Sequence, residues 1–93
     1  MSGVSTGPVA HGAKSIGTSA AALSTSTVPL VAGLTVKSIT GNGGVVYVGI
    51  TGVTTSTGYP LAAGESVPVG ATNPAEVFVI GSAGTQDVRW IGN

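Results

Sequence analysis

The sequence predicts an all-β fold: a small antiparallel β-sandwich or barrel, jelly-roll-like, with an extended N-terminal arm. Three observations predict it. From Val28 onward, short runs of β-branched and aromatic residues alternate with clusters of Gly, Pro, Asn and Ser, a pattern typical of strands and turns. No segment keeps a helical apolar period over the ten or so residues that a helix requires. Roughly six to eight short strands at regular spacing indicate a sandwich or barrel.

The first 27 residues differ in composition from the rest. They consist mainly of Gly, Ser, Thr and Ala, with isolated apolar residues between them. Such a segment buries too little apolar surface to order by itself. We therefore predict an extended, partly disordered N-terminal arm over residues 1–27, with one strand near Ala13–Leu23, and a β-domain over residues 28–93. A disordered terminus is the alternative, and both interpretations agree if the arm orders only against a neighbour. On either interpretation, deleting residues 1–20 should leave the β-domain folded.

The β-domain begins with a predicted hairpin. Residues 34–40, LTVKSIT, alternate apolar and polar side chains, as a strand with one buried face does. Asn42-Gly43 follows, and this dipeptide is the strongest short-range hairpin signal because both positions tolerate positive φ. The next run, VVYVGI at 45–50, is apolar on both faces. One of its faces can enter the core, and the other needs a cover.

The second half of the chain contains the remaining predicted strands. Residues 51–66 form a loop region with a short strand at Val53–Thr55, and Ser66–Val69 is the next strand. Pro68 lacks an N–H for the ladder, which indicates a sheet edge or a bulge. The strand EVFVIGS is again apolar on both faces, whereas the closing segment GTQDVRWIGN alternates, with Val88 and Trp90 facing inward.

The surface is predicted to be almost uncharged. Charged residues make up 6% of the chain and the net charge is zero, whereas a typical soluble domain has about 25% charged residues. Little like-charge repulsion then keeps molecules apart, so association is favoured. Solvation by the many Ser and Thr hydroxyls is the alternative. We favour a surface that is covered in large part by other subunits.

The small number of basic residues and the short apolar runs also predict that neither a nucleic acid nor a membrane is a partner. Three basic residues cannot neutralise the roughly six to ten phosphates of a nucleic-acid footprint, so we expect no nucleic-acid binding. The apolar runs are far shorter than the roughly 20 residues that span a bilayer, so we expect no membrane insertion. The N-terminus lacks the charged start and apolar core of a signal peptide.

No catalytic, metal or cofactor site is predicted. The only histidine, His11, lies in the arm, where no rigid triad can form around it. The three carboxylates stand at Glu65, Glu76 and Asp87 without the spacing of metal ligands. The glycine-rich stretches match neither a P-loop nor a dinucleotide-binding loop. We therefore predict a protein that is not an enzyme and that uses no cofactor.

Six residues are the candidates for an interface. Tyr47 and Tyr59 sit in uncharged runs, although core packing is nearly as good an explanation for them. Trp90, by contrast, is predicted to anchor the core. The full candidate set is His11, Lys14, Tyr47, Tyr59, Pro68 and Phe78.

One part of the sequence resembles a known family. The run VYVGITGVTTSTGYPLAAGESVPV, followed by EVFVIGSAGTQDVRWI, is similar to a pattern common in small structural proteins of tailed bacteriophages, and the resemblance covers about residues 23–91. The matching positions are Gly49, Gly52, Val53, Leu61, Gly64, Glu65 and Ser66.

The resemblance implies an all-β virion component. The best candidate is a capsid decoration or cement protein, located on the capsid surface, bound to the major capsid protein and often trimeric. A head–tail or tail-associated protein is an alternative within the same resemblance. A glycan-binding module of a tail fibre is an alternative of another class, to which only Tyr59 near Glu65 points. The resemblance carries no catalytic motif onto this chain.

Overall fold

The computed structural model of the protein describes residues 9–25 and 27–93, and the predicted all-β class is confirmed. These residues form eight strands and a short 3-10 helix, Pro74–Glu76. The strands are β1 (Ala10–Ile16), β2 (Ala21–Ala22), β3 (Leu34–Ser38), β4 (Val46–Gly49), β5 (Tyr59–Leu61), β6 (Ser66–Val69), β7 (Phe78–Gly81) and β8 (Gln86–Gly92).

The strands pair as one long antiparallel ribbon that is rolled up. β1 pairs with β8, β2 with β7, β3 with β6 and β4 with β5. Rolling the ribbon brings β8 beside β3 and β7 beside β4. The result is a first sheet in the order β1-β8-β3-β6 and a second sheet in the order β2-β7-β4-β5. This is the arrangement of a jelly roll, so the sandwich and its jelly-roll-like form are confirmed.

The core lies between the two sheets. Alternate positions of β3, β4, β7 and β8 supply its centre, where the four valines Val36, Val46, Val79 and Val88 have no measurable exposure. Trp90 is also buried, as predicted. Because side chains alternate across a strand, each of these strands sends one row inward and the other row to the outer face of its sheet.

The described part of the predicted arm belongs to the sandwich. β1 pairs with β8 along its whole length, and β2 pairs with β7. Ile16 and Leu23 are buried in the core, so the core does not begin at residue 28. The composition of the arm is misleading, because Ile16 and Leu23 are enough to attach this segment to the core. Between these two residues the chain passes from the first sheet to the second. Residues 1–8 and 26 lie outside the described residues.

Two local predictions are wrong. Residues 39–45 do not close a hairpin, because β3 and β4 lie in different sheets. The Asn42 amide instead donates to Ser38 Oγ and to the Asp87 carbonyl, and accepts from the Asp87 N–H, each at 2.8 Å. The predicted strand at Val53–Thr55 is absent, since Val53 and Thr54 are irregular and Thr55 begins a turn. The chain folds back because Val53 packs on Gly49, where an added Cβ would stand 2.6 Å from Val53 Cγ2.

Each of the four edge strands carries a feature that opposes pairing with another molecule. β2 has two residues, and the edge strands β5 and β6 contain Pro60 and Pro68. The prediction that Pro68 lies at an edge is therefore confirmed. β1 has seven residues, and within it Lys14 is the cross-strand partner of the buried Val88. The side chain of Lys14 therefore projects from this edge strand on the face of the sheet that is directed toward the core. Short strands, prolines and inward-directed charges are the known means of protecting a sheet edge.

The two ends of the sandwich have different loops. At one end, residues 23–33, 50–58 and 70–77 connect β2 to β3, β4 to β5 and β6 to β7, and the chain enters β1 and leaves β8. We call it the long-loop end. At the opposite, short-loop end lie residues 17–20, 39–45, 62–65 and 82–85. This division positions the candidate site.

Candidate interaction surface

The long-loop end carries all the large hydrophobic side chains that are exposed in the described chain. They are between 55% and 73% exposed, and they are Val9, Val31, Ile50, Tyr59 and Ile91. Val9 precedes β1 and Ile91 is near the end of β8, while Ile50 and Tyr59 flank the loop 50–58. Because these side chains lie at one end and are not scattered over the surface, that end is the candidate interaction surface. We call these five residues the apolar end.

Two grooves lie among these side chains. One has a volume of about 420 Å³ and is lined by residues 32–35, 68–70 and 91–93. The other, about 410 Å³, lies between the sheets and is lined by Gly49, Ile50, Val69, Gly70, Ala71, Glu76 and Val77. Because both grooves include Val69 and Gly70, they adjoin across the end of β6. Together they give the apolar end a furrowed shape into which side chains of a partner could insert.

Glu76 is the only ionisable side chain that lines these two grooves. Its carboxylate accepts hydrogen bonds from the Thr72 N–H at 2.8 Å and the Thr72 hydroxyl at 2.9 Å. These bonds, the backbone one first, lower the pKa of Glu76 below its ordinary value, against a smaller opposing effect of desolvation. The Glu76 carboxylate is therefore hydrogen-bonded within its own loop. Asn73 of the same loop caps the 3-10 helix.

Residues 50–58 hold Ile50 and Tyr59 in place. The turn after β4 is closed by a bond from the Val53 N–H to the Ile50 carbonyl at 3.0 Å, with Gly52 at φ +85. Such a φ is one that glycine adopts without strain. The Thr54 N–H then donates to Thr57 Oγ1 at 3.0 Å. The loop is thus internally bonded, which constrains the backbone between the two exposed side chains.

The six predicted interface residues do not form one surface. On the outer face of the first sheet, His11 and Pro68 stand in a single cross-strand row with Ile91 and Thr35 between them. Tyr59 belongs to the apolar end. Lys14 is at the β1 edge, as described above.

The other two predicted residues, Tyr47 and Phe78, are on the outer face of the second sheet. Both are half-buried, and Tyr47 is the cross-strand partner of Ile80 and Pro60. The loop 50–58 covers part of this face, since an added Cβ on Gly58 would stand 2.6 Å from Tyr47 Cβ. The two-sided apolar run VVYVGI is therefore covered in part by its own chain, a possibility that the sequence pattern does not reveal.

Sequence reasoning missed four residues of the apolar end: Val9, Val31, Ile50 and Ile91. A strand pattern assigns such residues to a core, because an isolated Val or Ile in a sequence is more often buried than exposed. Only the position of the loop ends in the rolled ribbon shows that these side chains face outward together.

A third groove, of about 400 Å³, runs between the edge strands β5 and β6. Tyr59 and Glu65 both line it, together with Pro60, Leu61, Gly64 and Ser66. Glu65 Oε1 accepts a hydrogen bond from the Ala62 N–H at 2.8 Å, which fixes the carboxylate over the turn. This groove therefore brings an exposed aromatic ring together with a carboxylate and a hydroxyl.

Among residues 9–25 and 27–93, no three His, Cys, Asp or Glu side chains are grouped so that they could hold a metal ion. No helix in that part of the chain has the length and apolar character to cross a membrane. Models of known protein families match no part of this sequence, and no curated protein matches it.

Proposed function

We propose that this protein is a non-enzymatic structural protein of a virion, which decorates a capsid shell and stabilises it by docking its long-loop end onto the major capsid subunits. The observation that supports docking is the clustering of every exposed large hydrophobic side chain at that end. The opposite end of the described chain exposes none. A partner therefore has one side of the molecule from which it can remove apolar surface from water.

Two further observations support a shell as the partner. Jelly rolls recur in viral capsid and lectin domains, although this is an analogy of fold and not of site. The sequence between Leu23 and Ile91 also resembles small structural proteins of tailed bacteriophages. A head–tail or tail-associated location would use the same end of the molecule on a different virion protein.

The mechanism is stabilisation by mass action. A protein that binds the assembled shell but not its separated subunits shifts the equilibrium toward the shell. Burying the five partly exposed side chains would contribute roughly 5–10 kcal/mol, much of which is offset by the entropic cost of association. Single contacts are therefore modest. Many copies on one shell, each bridging linked subunits, make the combined effect large.

The experiment is co-sedimentation with shells assembled from the cognate major capsid protein. Val31→Thr combined with Ile50→Thr removes apolar contact at exposed positions, so the fold should be kept. We expect occupancy of the shells to fall at least tenfold, which corresponds to about 1.4 kcal/mol. The matched control is Thr18→Val combined with Thr85→Val, at exposed positions of the short-loop end. Equal binding by both double variants, or no binding by the wild type, would refute the proposal.

The oligomeric state is a separate prediction. The trimer that the resemblance implies is tested by light scattering of the free protein. A three-fold mass supports the trimer. A mass of one chain at all concentrations removes it but leaves docking of single copies intact.

A glycan-binding module is the second candidate, and a specific observation favours it. Tyr59 and Glu65 line the same groove between β5 and β6, which places a stacking ring beside hydrogen-bonding groups. A glycan array with wild-type protein and Tyr59→Ala decides between the candidates. Binding of a defined glycan that is lost in Tyr59→Ala, with no binding to shells, would replace the decoration proposal.

A further inference from the structure

Two of the chain's three basic side chains stand opposite each other on the outer face of the first sheet. Lys37 of β3 and Arg89 of β8 are cross-strand partners, and both are exposed. Directly opposed residues project to the same face with their Cβ atoms about 5 Å apart. The outer face of the first sheet therefore concentrates positive charge in a molecule whose net charge is zero.

No carboxylate of the described chain forms an ion pair with Lys37 or Arg89. Asp87 projects from the same face of β8, but it accepts a hydrogen bond from the Ser15 hydroxyl on β1. The Arg89 guanidinium donates to the Val88 carbonyl at 3.2 Å. Within residues 9–25 and 27–93, neither Lys37 nor Arg89 forms an ion pair. Glu65 and Glu76 are bonded to their own loops.

The arrangement is unfavourable in the free protein. Like charges that are directly opposite in neighbouring strands destabilise a sheet. β3 and β8 are the two inner strands of the first sheet, so their backbones cannot separate to relieve the repulsion. An anion bound between the two side chains would neutralise both. A guanidinium presents a planar fork that matches a carboxylate, and the lysine adds a point charge.

The surroundings of the pair define what kind of anion fits. The pair borders a depression of about 240 Å³ lined by Thr35, Lys37, Ser66, Arg89, Trp90 and Ile91. Thr35 and Ser66 bring hydroxyls, whereas Ile91 is an exposed apolar side chain. A ligand with a carboxylate next to an apolar group would satisfy both parts. Two cations are too few for a nucleic-acid backbone, which needs roughly six to ten.

We infer that this depression binds a carboxylate of a partner protein, an Asp or Glu side chain flanked by an apolar residue. Charge complementarity supplies the orientation, and Ile91 supplies the apolar contact. Ile91 also belongs to the apolar end, so the carboxylate site adjoins that surface. The site requires no capsid shell, and it can therefore be tested independently of the proposed function.

The probe is the blocked peptide acetyl-Leu-Glu-Glu-Leu-amide, titrated at low salt into isotope-labelled protein and followed by NMR. We expect amide shifts at Lys37, Ser66 and Arg89. Arg89→Gln and Lys37→Gln should each weaken binding by about tenfold, because each removes a hydrogen bond to a charged group. The matched control is Thr85→Glu at the short-loop end, which gives the same net charge as Arg89→Gln and should bind as the wild type does.

Three results would overturn the inference. One is the absence of shifts at this face with the glutamate peptide. Another is equal binding of the analogue acetyl-Leu-Gln-Gln-Leu-amide, which lacks the carboxylates. The third is binding of inorganic phosphate or a short DNA duplex as tightly as the glutamate peptide, which would assign the depression to anions in general and not to a protein carboxylate.

Discussion

At the scale of single residues, a glycine helps to hold the edge strand β1 in place, because the lack of a side chain leaves room for a neighbouring aromatic ring. Gly12 of β1 is the cross-strand partner of Trp90, and an added Cβ on Gly12 would stand 2.7 Å from the indole Nε1. The indole therefore covers the glycine backbone, as aromatic rings often do at glycines of edge strands. Packing of this kind attaches β1 to the sheet in addition to its ladder of hydrogen bonds.

Gly12→Ala is accordingly expected to destabilise the protein. The new methyl group must displace a buried aromatic ring, and overpacking of this kind costs about 1–3 kcal/mol. Urea unfolding measures the change in the free energy of unfolding. Gly43→Ala is the matched control, because no heavy atom lies within 4 Å of an added Cβ there. If the two variants are equally stable, the indole does not hold β1 in the way that we describe.

The pKa of Glu76 gives a prediction for pH dependence. The pKa is lower in the folded protein than in the unfolded chain, so the ionised carboxylate stabilises the fold. This contribution is present above the ordinary glutamate pKa of about 4.3 and is lost as the pH falls through the folded value. Glu76→Gln should therefore melt at a lower temperature than the wild type at pH 7, and the gap should close toward pH 3.

Thr72→Val provides a second variant for the same test. It removes the hydroxyl donor and keeps the backbone donor to Glu76. We expect the same direction of pH dependence with a smaller gap. A melting difference for Glu76→Gln that is the same at pH 7 and pH 3 would show that the carboxylate charge does not stabilise the loop 70–77.

At the scale of elements, each edge strand of this almost uncharged chain carries a feature that opposes edge-to-edge pairing. β1 is the longest edge strand and contains no proline, so its protection depends on Lys14. A second copy that paired with this edge would cover Lys14, which stands beside the buried Val88 on the core side of the sheet. Removing water from an ammonium group there is costly.

Lys14→Val is therefore expected to promote self-association through β1. Sedimentation over a range of concentrations should show a higher mass for this variant than for the wild type. Lys37→Val is the matched control, since it makes the same change on an inner strand of the same sheet. Association of both variants to the same extent would mean that lost charge, and not the exposed edge, is responsible.

The elements also show how far the sequence predicts this fold. Alternation predicts β3 and the inward Val88 and Trp90, because period and burial are linked within a strand. Pairing partners were not predictable, since they depend on how the ribbon rolls. At Asn42-Gly43 the local preference for a hairpin was overridden by hydrogen bonds between Asn42 and Asp87, which is 45 residues away. A local pattern contains no information about such a partner.

For the interaction surface, sequence reasoning recovered less. Tyr59 was identified because an aromatic residue in an uncharged run is unusual, and the structure does place it at the apolar end. No comparable feature of the sequence distinguishes Ile50 and Val31 from core residues. Whether an aliphatic side chain is buried or exposed depends on which loop ends meet, so these residues become visible only once the topology is known.

At the scale of the whole molecule, the two ends of the sandwich have opposite characters. The short-loop end is held by polar side chains. There, buried Gln86 accepts from the Gly44 N–H at 3.0 Å and donates to the Ala83 carbonyl, and Asn42 bonds to the buried Ser38. The long-loop end exposes its hydrophobic residues instead. The docking that we propose is therefore directional, because only the long-loop end would gain from the removal of water.

The N-terminal strand gives the last prediction. Composition alone suggested that residues 1–20 can be deleted, but β1 and the turn into β2 lie within them. Their loss would expose the Trp90 indole and the inner edge of β8, and would remove buried Ile16 from the core. A domain of this size has a stability of roughly 5–15 kcal/mol at most, so we now expect this deletion to abolish cooperative unfolding in a thermal melt followed by circular dichroism.

Deleting only residues 1–8 is the matched control, because it keeps every strand pair of the described chain. We expect that shortened protein to melt cooperatively, with both sheets intact. If the longer deletion also melts cooperatively and near the wild-type temperature, β1 is an addition to a self-sufficient domain.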